Sequence, residues 1–342
     1  MKELLKKLCE LDGVSGYEDE VREFILENVK NHADEVIVDT LGNLMVFKKG
    51  AARRTRPAML CAHMDEVGFL VRRITDDGML KLATGNGIDP RVLIGRKMRV
   101  GKNKIKGIIS LKAIHLTTPE ERTKAPALGS LYIDIGALSR AEAEKHVKIG
   151  DPVVFDSDFY EFGDGFVKAK AIDDRIGCAV LVELLKEDLP YDTWFVFSTE
   201  EEIGLRGATV AGRRINPGVA LIIEGTTAAD LPDTDEHLYC TQVRHGPSLS
   251  LIDKGTVYNR AMREKLIAAA DKAGVKWQYK KSGTGGNDSG AIHLAADGAV
   301  TVSLSNPTRY IHSASNVACL SDIEGVKKLA ALFIKEAGDC NV

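Results

Sequence analysis

The sequence predicts an α/β protein: a mixed-sheet α/β sandwich carrying an inserted small all-β domain. Three observations lead there. From Phe166 onward, apolar strand-like runs alternate with helical ones, the rhythm of a sheet covered by helices on both faces. Between about Phe69 and Gly163 that rhythm is lost, and short β-like runs are broken by Gly, Asp and Pro, as in a small barrel. The length of 342 residues is enough for about two domains. Residues 1–68 and 164–342 would then form one discontinuous α/β domain, with a β-barrel-like insert at 69–163.

The elements follow in order. Met1–Cys9 reads as a short helix with Leu4, Leu5 and Leu8 on one face. Ser15-Gly16-Tyr17-Glu18 fits a capping box, and Val21, Phe24, Ile25 and Val29 recur behind it at helical spacing. Glu35–Asp39 and Leu44–Lys48 flank a Gly42-Asn43 turn and predict a hairpin. Ala58–Ala62 is an apolar strand running into His63. The insert offers six runs: Phe69–Ile74, Met79–Leu82, Lys97–Val100, Ile105–Leu111, Leu131–Ile135 and Val153–Phe155, with an irregular polar stretch at Thr117–Pro126. Next come a strand at Phe166–Ile172, an apolar helix at Ile176–Leu185, and buried-type strands at Trp194–Ser198 and Val219–Ile223. Helices at Ala261–Ala273 and Ser289–Ala295, strands at Val275–Lys280 and Ala299–Ser305, and a helix at Asp322–Ala337 complete the pattern.

Composition excludes several classes. A net charge of −3 lacks the basic excess of a nucleic-acid binder. MKELLKKLCELDG has no apolar run long enough for a signal peptide, and no segment approaches a membrane span, so a soluble, cytoplasmic protein is expected. Cys9, Cys61, Cys178, Cys240, Cys319 and Cys340 form no CxxC pair, so they read as buried or idle thiols rather than a zinc ribbon or disulfide frame.

The chemistry lies where ionisable residues meet strand ends. His63-Met64-Asp65, Asp173-Asp174-Arg175, Glu200-Glu201-Glu202, Glu224 and Tyr310-Ile311-His312 each follow a predicted strand. Singly, each has an ordinary reading: a surface pair, a helix N-cap, a solvated charge run. Together they put histidine or carboxylate from five strands on the rim where open α/β sheets bind ligands. A His and carboxylate set without thiolate suits zinc, cobalt or manganese. Two metals about 3.5–4 Å apart need a bridging carboxylate, for which Asp173 is the candidate. One histidine and one acid remain for each metal, and a spare glutamate can act as general base. His32, His115, His146, His237, His245 and His293 fall off this rim and read as mostly surface residues. Ser282–Asp288 is glycine-rich but lacks the P-loop lysine, and reads as a loop near the site.

AHMDEVG at 62–68, DIGALS at 134–139, AIDDRIG at 171–177, EEIGLRGA at 201–208 and RYIHS at 309–313 give the chain a resemblance to the M42 metallo-aminopeptidases. That family includes tetrahedral assemblies and relatives labelled endoglucanase. The resemblance implies that His63, Asp173 and Glu224 hold one metal, zinc or cobalt, and that Asp173, Glu202 and His312 hold the other. It makes Glu201 the general base, and gives Asp65 the task of fixing the ring of His63. Many members carry aspartate where Glu224 stands; the extra methylene brings this carboxylate in at a different angle. The implied mechanism is attack by a metal-bridging water, its proton taken by Glu201 and passed to the leaving amine. Peptides are the implied substrates, and the insert is expected to drive homo-oligomerisation, up to a tetrahedral dodecamer.

Three other functions compete. A glycoside hydrolase would use two carboxylates, but 6% aromatics and two tryptophans make a poor sugar platform, and both histidines would lack a task. A scaffold would not need so many rim ligands. A deacylase or carboxypeptidase shares the site chemistry and is separated only by the family resemblance.

Overall fold

The computed structural model describes residues 1–339 apart from Thr284. Its main sheet has eight strands. In spatial order they are Glu35–Val38, Leu44–Lys48, Thr193–Ser198, Ala58–His63, Val219–Thr227, Val300–Thr308, Ser248–Ser250 and Gln278–Lys280. The four central strands run parallel, while Leu44–Lys48 and Ser248–Ser250 pair antiparallel beside them, so the sheet is mixed, as expected.

Period-2 alternation divides the sheet's side chains between two cores. Ala58, Leu60, Phe195, Phe197, Leu221 and Ile223 face one layer, packed against Leu5, Ile25, Leu181, Leu266 and Phe333 from helices. Met59, Cys61, Val196, Ala220 and Ile222 face the other, against Ala208, Ala211 and Ile292. The helix Ile172–Leu185 is buried almost all round, which fits its apolar composition and its place against the central strands.

Six strands close the inserted barrel: Phe69–Ile74, Leu80–Ala83, Tyr132–Asp134, Ile105–Ser110, Lys97–Val100 and Pro152–Phe155. The barrel has its own core, including Phe69, Leu80, Met98, Ile133 and Phe155. A three-stranded sheet (Tyr160–Phe162, Phe166–Ala169, Asn316–Cys319) lies where the chain re-enters the larger unit.

Several local expectations differ from what forms. The helix Arg206–Ile215 shows no apolar period in the sequence, because its buried face is Gly207, Ala208, Ala211 and Gly212. The Val219 strand runs on to Thr227, since Gly225–Thr227 keep pairing with Asn306–Thr308; Glu224 is therefore inside the strand, not after it. The Phe166 strand stops at Ala169, and the helix expected to Ala295 ends at Ile292. The capping box at Ser15 does not form. Ser15 donates to Asp65, and the helix starts at Asp19 with no side-chain cap. A capping box exists instead in the stretch expected to be irregular, where Thr118 and Glu121 cap Pro119–Arg122. Cys9, Cys61, Cys178, Cys240 and Cys319 are free and buried, while Cys340 lies outside the described residues, as does Thr284 of the glycine-rich stretch.

Candidate metal centre

Parallel register brings the chemistry to one level. Ser198 pairs with His63, so Thr199–Glu202 leave their strand beside the imidazole. Ile222 pairs with Cys61 on the other side, and two residues further along stand Glu224 and His63. Asp173 enters from the turn after Ala169, and His312 from the turn after Thr308. The backbone bends sharply to deliver them: Ala171, Glu200, Tyr310 and His312 have φ of +54°, +54°, +58° and +58°. Left-handed non-glycine residues are uncommon and cluster where a site demands a particular aim.

The two imidazoles are held alike. His63 donates through Nδ1 to the Asp65 carbonyl at 3.0 Å, with the Asp65 carboxylate 3.3 Å away. Its Nε2 then faces Glu224 Oε1 at 3.1 Å and Asp173 Oδ1 at 3.4 Å. His312 donates through Nδ1 to the Gly87 carbonyl at 2.9 Å, and its Nε2 faces Glu202 Oε1 at 3.3 Å and Asp173 Oδ2 at 3.7 Å. Fixing Nδ1 as donor leaves Nε2 as the free ligand atom of each ring. Asp173 lies between them, one oxygen toward each histidine, and Oδ1 also accepts the Gly225 N–H at 3.0 Å. Asp65 is fully buried behind this array. Its oxygens accept the N–H groups of Glu201 at 2.9 Å and Glu202 at 3.1 Å, and the Ser15 hydroxyl at 2.6 Å.

Electrostatics make the cluster costly by itself. Burial pushes the Glu201 carboxyl well above the carboxylate range, with Glu202, Asp288 and Asp65 adding repulsion. Burial and Asp173 likewise push Glu224 and Asp174 well above that range and raise Glu202. Burial opposes the charge on Asp173 too, but hydrogen bonds from His312 and His63 prevail and hold it ionised. With no cation between them, the carboxylates favour protonated rings against the same desolvation. Glu224 raises His63, and Asp173 with Glu202 raises His312 to about 11.

The donor set fits a cation. Ligand atoms of His63, Asp173 and Glu202 lie within 4.8 Å of one another, as do those of His63, Asp174 and Glu224. Asp174 Oδ2 and Glu224 Oε2 are buried without a hydrogen-bond partner, a costly state for a carboxylate oxygen unless a cation faces it. The residues expected from sequence therefore converge: His63, Asp173, Glu202, Glu224 and His312 around the centre, Asp65 behind it, and Glu201 on the wall of a cleft of about 710 Å³. Four contributors were not anticipated as site residues: Asp174, the Gly87 carbonyl, buried Asp288 bonded to Ser198, and buried Glu18. Asp174 was visible beside Asp173, and Asp288 closes the stretch expected to lie near the site. The remaining histidines are exposed, apart from half-buried His293.

Imidazoles and carboxylates gathered at the carboxyl rim of a mixed sheet, over an open cleft, fit a metal-dependent hydrolase of the α/β-sandwich type. The chain belongs to the M42 family, whose model, described as M42 glutamyl aminopeptidase, matches residues 42–329. It is similar to a lysyl aminopeptidase of Pyrococcus furiosus, at 32% identity over 343 residues, covering 98% of this chain and 96% of the relative. An aminopeptidase structure from the archaeon Desulfurococcus kamchatkensis matches with a TM-score of 0.93 and 34% identity, covering 98% of this chain and 94% of that one. The TET1 peptidase of Pyrococcus horikoshii, described as assembling into a tetrahedron or a large octahedral shell, matches with a TM-score of 0.86 and 33% identity over 97% and 98% of the two chains. The protein is thus an aminopeptidase, a hydrolase acting on peptides.

Proposed function

We propose that the chain removes single residues from the amino ends of peptides with two divalent cations, zinc or cobalt. His63, Asp173 and Glu224 would hold one and Asp173, Glu202 and His312 the other. The observation that carries this reading is Asp173 set between two imidazoles, with orphaned oxygens on Asp174 and Glu224. When bound, such cations polarise the peptide carbonyl and make a neighbouring water acidic. Glu201, half-buried on the cleft wall, takes the proton of the attacking water and returns it to the departing amine. Asp65 acts behind them, fixing the His63 ring and the backbone of Glu201 and Glu202.

Lys254 and Lys280 line the same cleft, and neither has a carboxylate partner among the described residues. We read them as receivers of an acidic amino-terminal side chain, in keeping with the glutamyl description of the family. The barrel, taken with 69–163 as one unit, is the proposed self-association module. Ile114, Leu116 and Leu138 are 72%, 60% and 86% exposed on it, apolar side chains that a second copy could cover. A tetrahedral dodecamer is the proposed assembly, and sedimentation as a monomer at micromolar concentration would count against it. No helix among the described residues is long and apolar enough to cross a membrane. The free buried thiols suit a cytoplasmic location.

A glycoside hydrolase fits less well, because no aromatic side chain among the described residues lines the cleft. The test is a panel of aminoacyl-anilides offered to metal-free and metal-reconstituted protein. Glutamyl and aspartyl anilides should be cleaved fastest, and only after reconstitution; equal turnover by protein free of metal would refute the proposal.

A further inference from the structure

We propose that Glu18 is a positioning residue for the general base, pinning the backbone turn that carries Glu201 and Glu202. This rests on reading Glu201 as the base. Where the chain leaves the Ser198 strand, four successive N–H groups have no strand partner, and each is taken by a side-chain oxygen. Asn43 Oδ1 accepts from Thr199 at 3.0 Å, Glu18 Oε1 from Glu200 at 3.1 Å, Asp65 Oδ1 from Glu201 at 2.9 Å, and Asp65 Oδ2 from Glu202 at 3.1 Å. Buried N–H groups need acceptors, and here the acceptors come from three segments remote in sequence.

Glu18 holds the critical link. Glu200 adopts φ +54°, and this left-handed step aims the next two carboxylates into the cleft. Glu18 is 3% exposed, and its Oε1 also accepts the Gly16 N–H at 2.8 Å. It stands at the N-cap of the helix Asp19–Val29 but makes no cap bond to that helix; its carboxylate turns to the site instead. Burial and the charge of Asp65 push its carboxyl up to about 7, so it is kept at a cost that packing alone would not require.

The test compares Glu18→Ala and Glu18→Gln with wild type, measuring kcat and KM on one aminoacyl-anilide and metal content by elemental analysis. Alanine removes the acceptor. Its kcat should fall about 10–100-fold, the scale of loss when a reacting group is misplaced by about an ångström, with KM unchanged and metal content falling far less than kcat, because Glu202 rides on the same turn but its N–H stays held by Asp65. Glutamine keeps an oxygen at the same place and should restore most of the turnover. Should alanine compromise folding, Glu18→Asp, one methylene short of the Glu200 N–H, must show the same selective loss of kcat. Wild-type kcat in Glu18→Ala, metal loss in step with activity, or a glutamine variant as impaired as alanine would each overturn the proposal. Glu201→Gln measured alongside separates this idea from its premise. Full activity there removes the base and the role of Glu18 with it; an inactive Glu201→Gln beside a fully active Glu18→Ala overturns the Glu18 role alone.

Discussion

Replacing Asp65 with asparagine changes one atom in the side chain that organises both His63 and the Glu201–Glu202 turn. The aspartate offers two acceptor oxygens, one to each of two consecutive N–H groups. Asparagine offers one oxygen and an NH2 group, so one of those buried amides must face another donor. An unsatisfied buried donor costs about 1–3 kcal/mol, and that is the stability loss expected in the metal-free protein. The carboxylate also stands 3.3 Å from His63 Nδ1. Removing such a partner typically weakens metal binding about 10–100-fold, or about 1.4–2.8 kcal/mol. Zinc affinity measured by competition with a chromophoric chelator, alongside urea unfolding of the metal-free form, reads both quantities. An Asp65→Asn protein with wild-type affinity and wild-type stability would refute the reasoning about this carboxylate.

Other expectations follow from the same geometry. Glu201→Gln should keep its metals yet lose about 10²–10⁴-fold in kcat, whereas Asp173→Asn should lose metal and activity together; equally poor binding by both variants would erase the division between base and ligand. Stability of the metal-free protein should fall as pH rises. Glu201, Glu202, Glu224 and Asp174 are raised by burial above ordinary values of 4.5 and 3.8, and His312 is raised from 6.5 to about 11. The folded state therefore binds more protons than the unfolded one across this window, and its advantage is lost as they leave. Metal binding displaces those protons, so stabilisation by added zinc should grow with pH; melting temperatures from pH 5 to 9, with and without zinc, should diverge, and parallel curves would contradict the assignment. N-acetylated peptides should be poor substrates beside their free counterparts, and mass spectrometry showing acetyl release without a ladder of shortened peptides would favour a deacylase instead.

Much of the centre was legible because strands announce their ends. An apolar run stopping at His63, at Glu200-Glu201-Glu202 or near His312 leaves a polar side chain on the rim, and rim residues of one sheet are neighbours by construction. What pairs across long separations was not legible. Glu18 meets the Glu200 amide across 182 residues, and its local pattern imitates a helix cap. The partner of His312 is the carbonyl of Gly87, in the segment following the barrel strand Leu80–Ala83, and a backbone carbonyl leaves no mark in the sequence. The apolar run before Glu224 ends at Ile223 and predicts a strand stopping there, yet the ladder continues through small and polar residues paired with Asn306–Thr308. The helix Arg206–Ile215 was hidden for a related reason, its inward face being glycine and alanine.

The central claim, two cations sharing Asp173, is tested most directly by anomalous diffraction from a zinc-loaded crystal. Two anomalous peaks about 3.5–4 Å apart are expected, with Asp173 between them, His63 and Glu224 on one, and Glu202 and His312 on the other. A single peak, or a pair that leaves Asp173 uncoordinated, would contradict it.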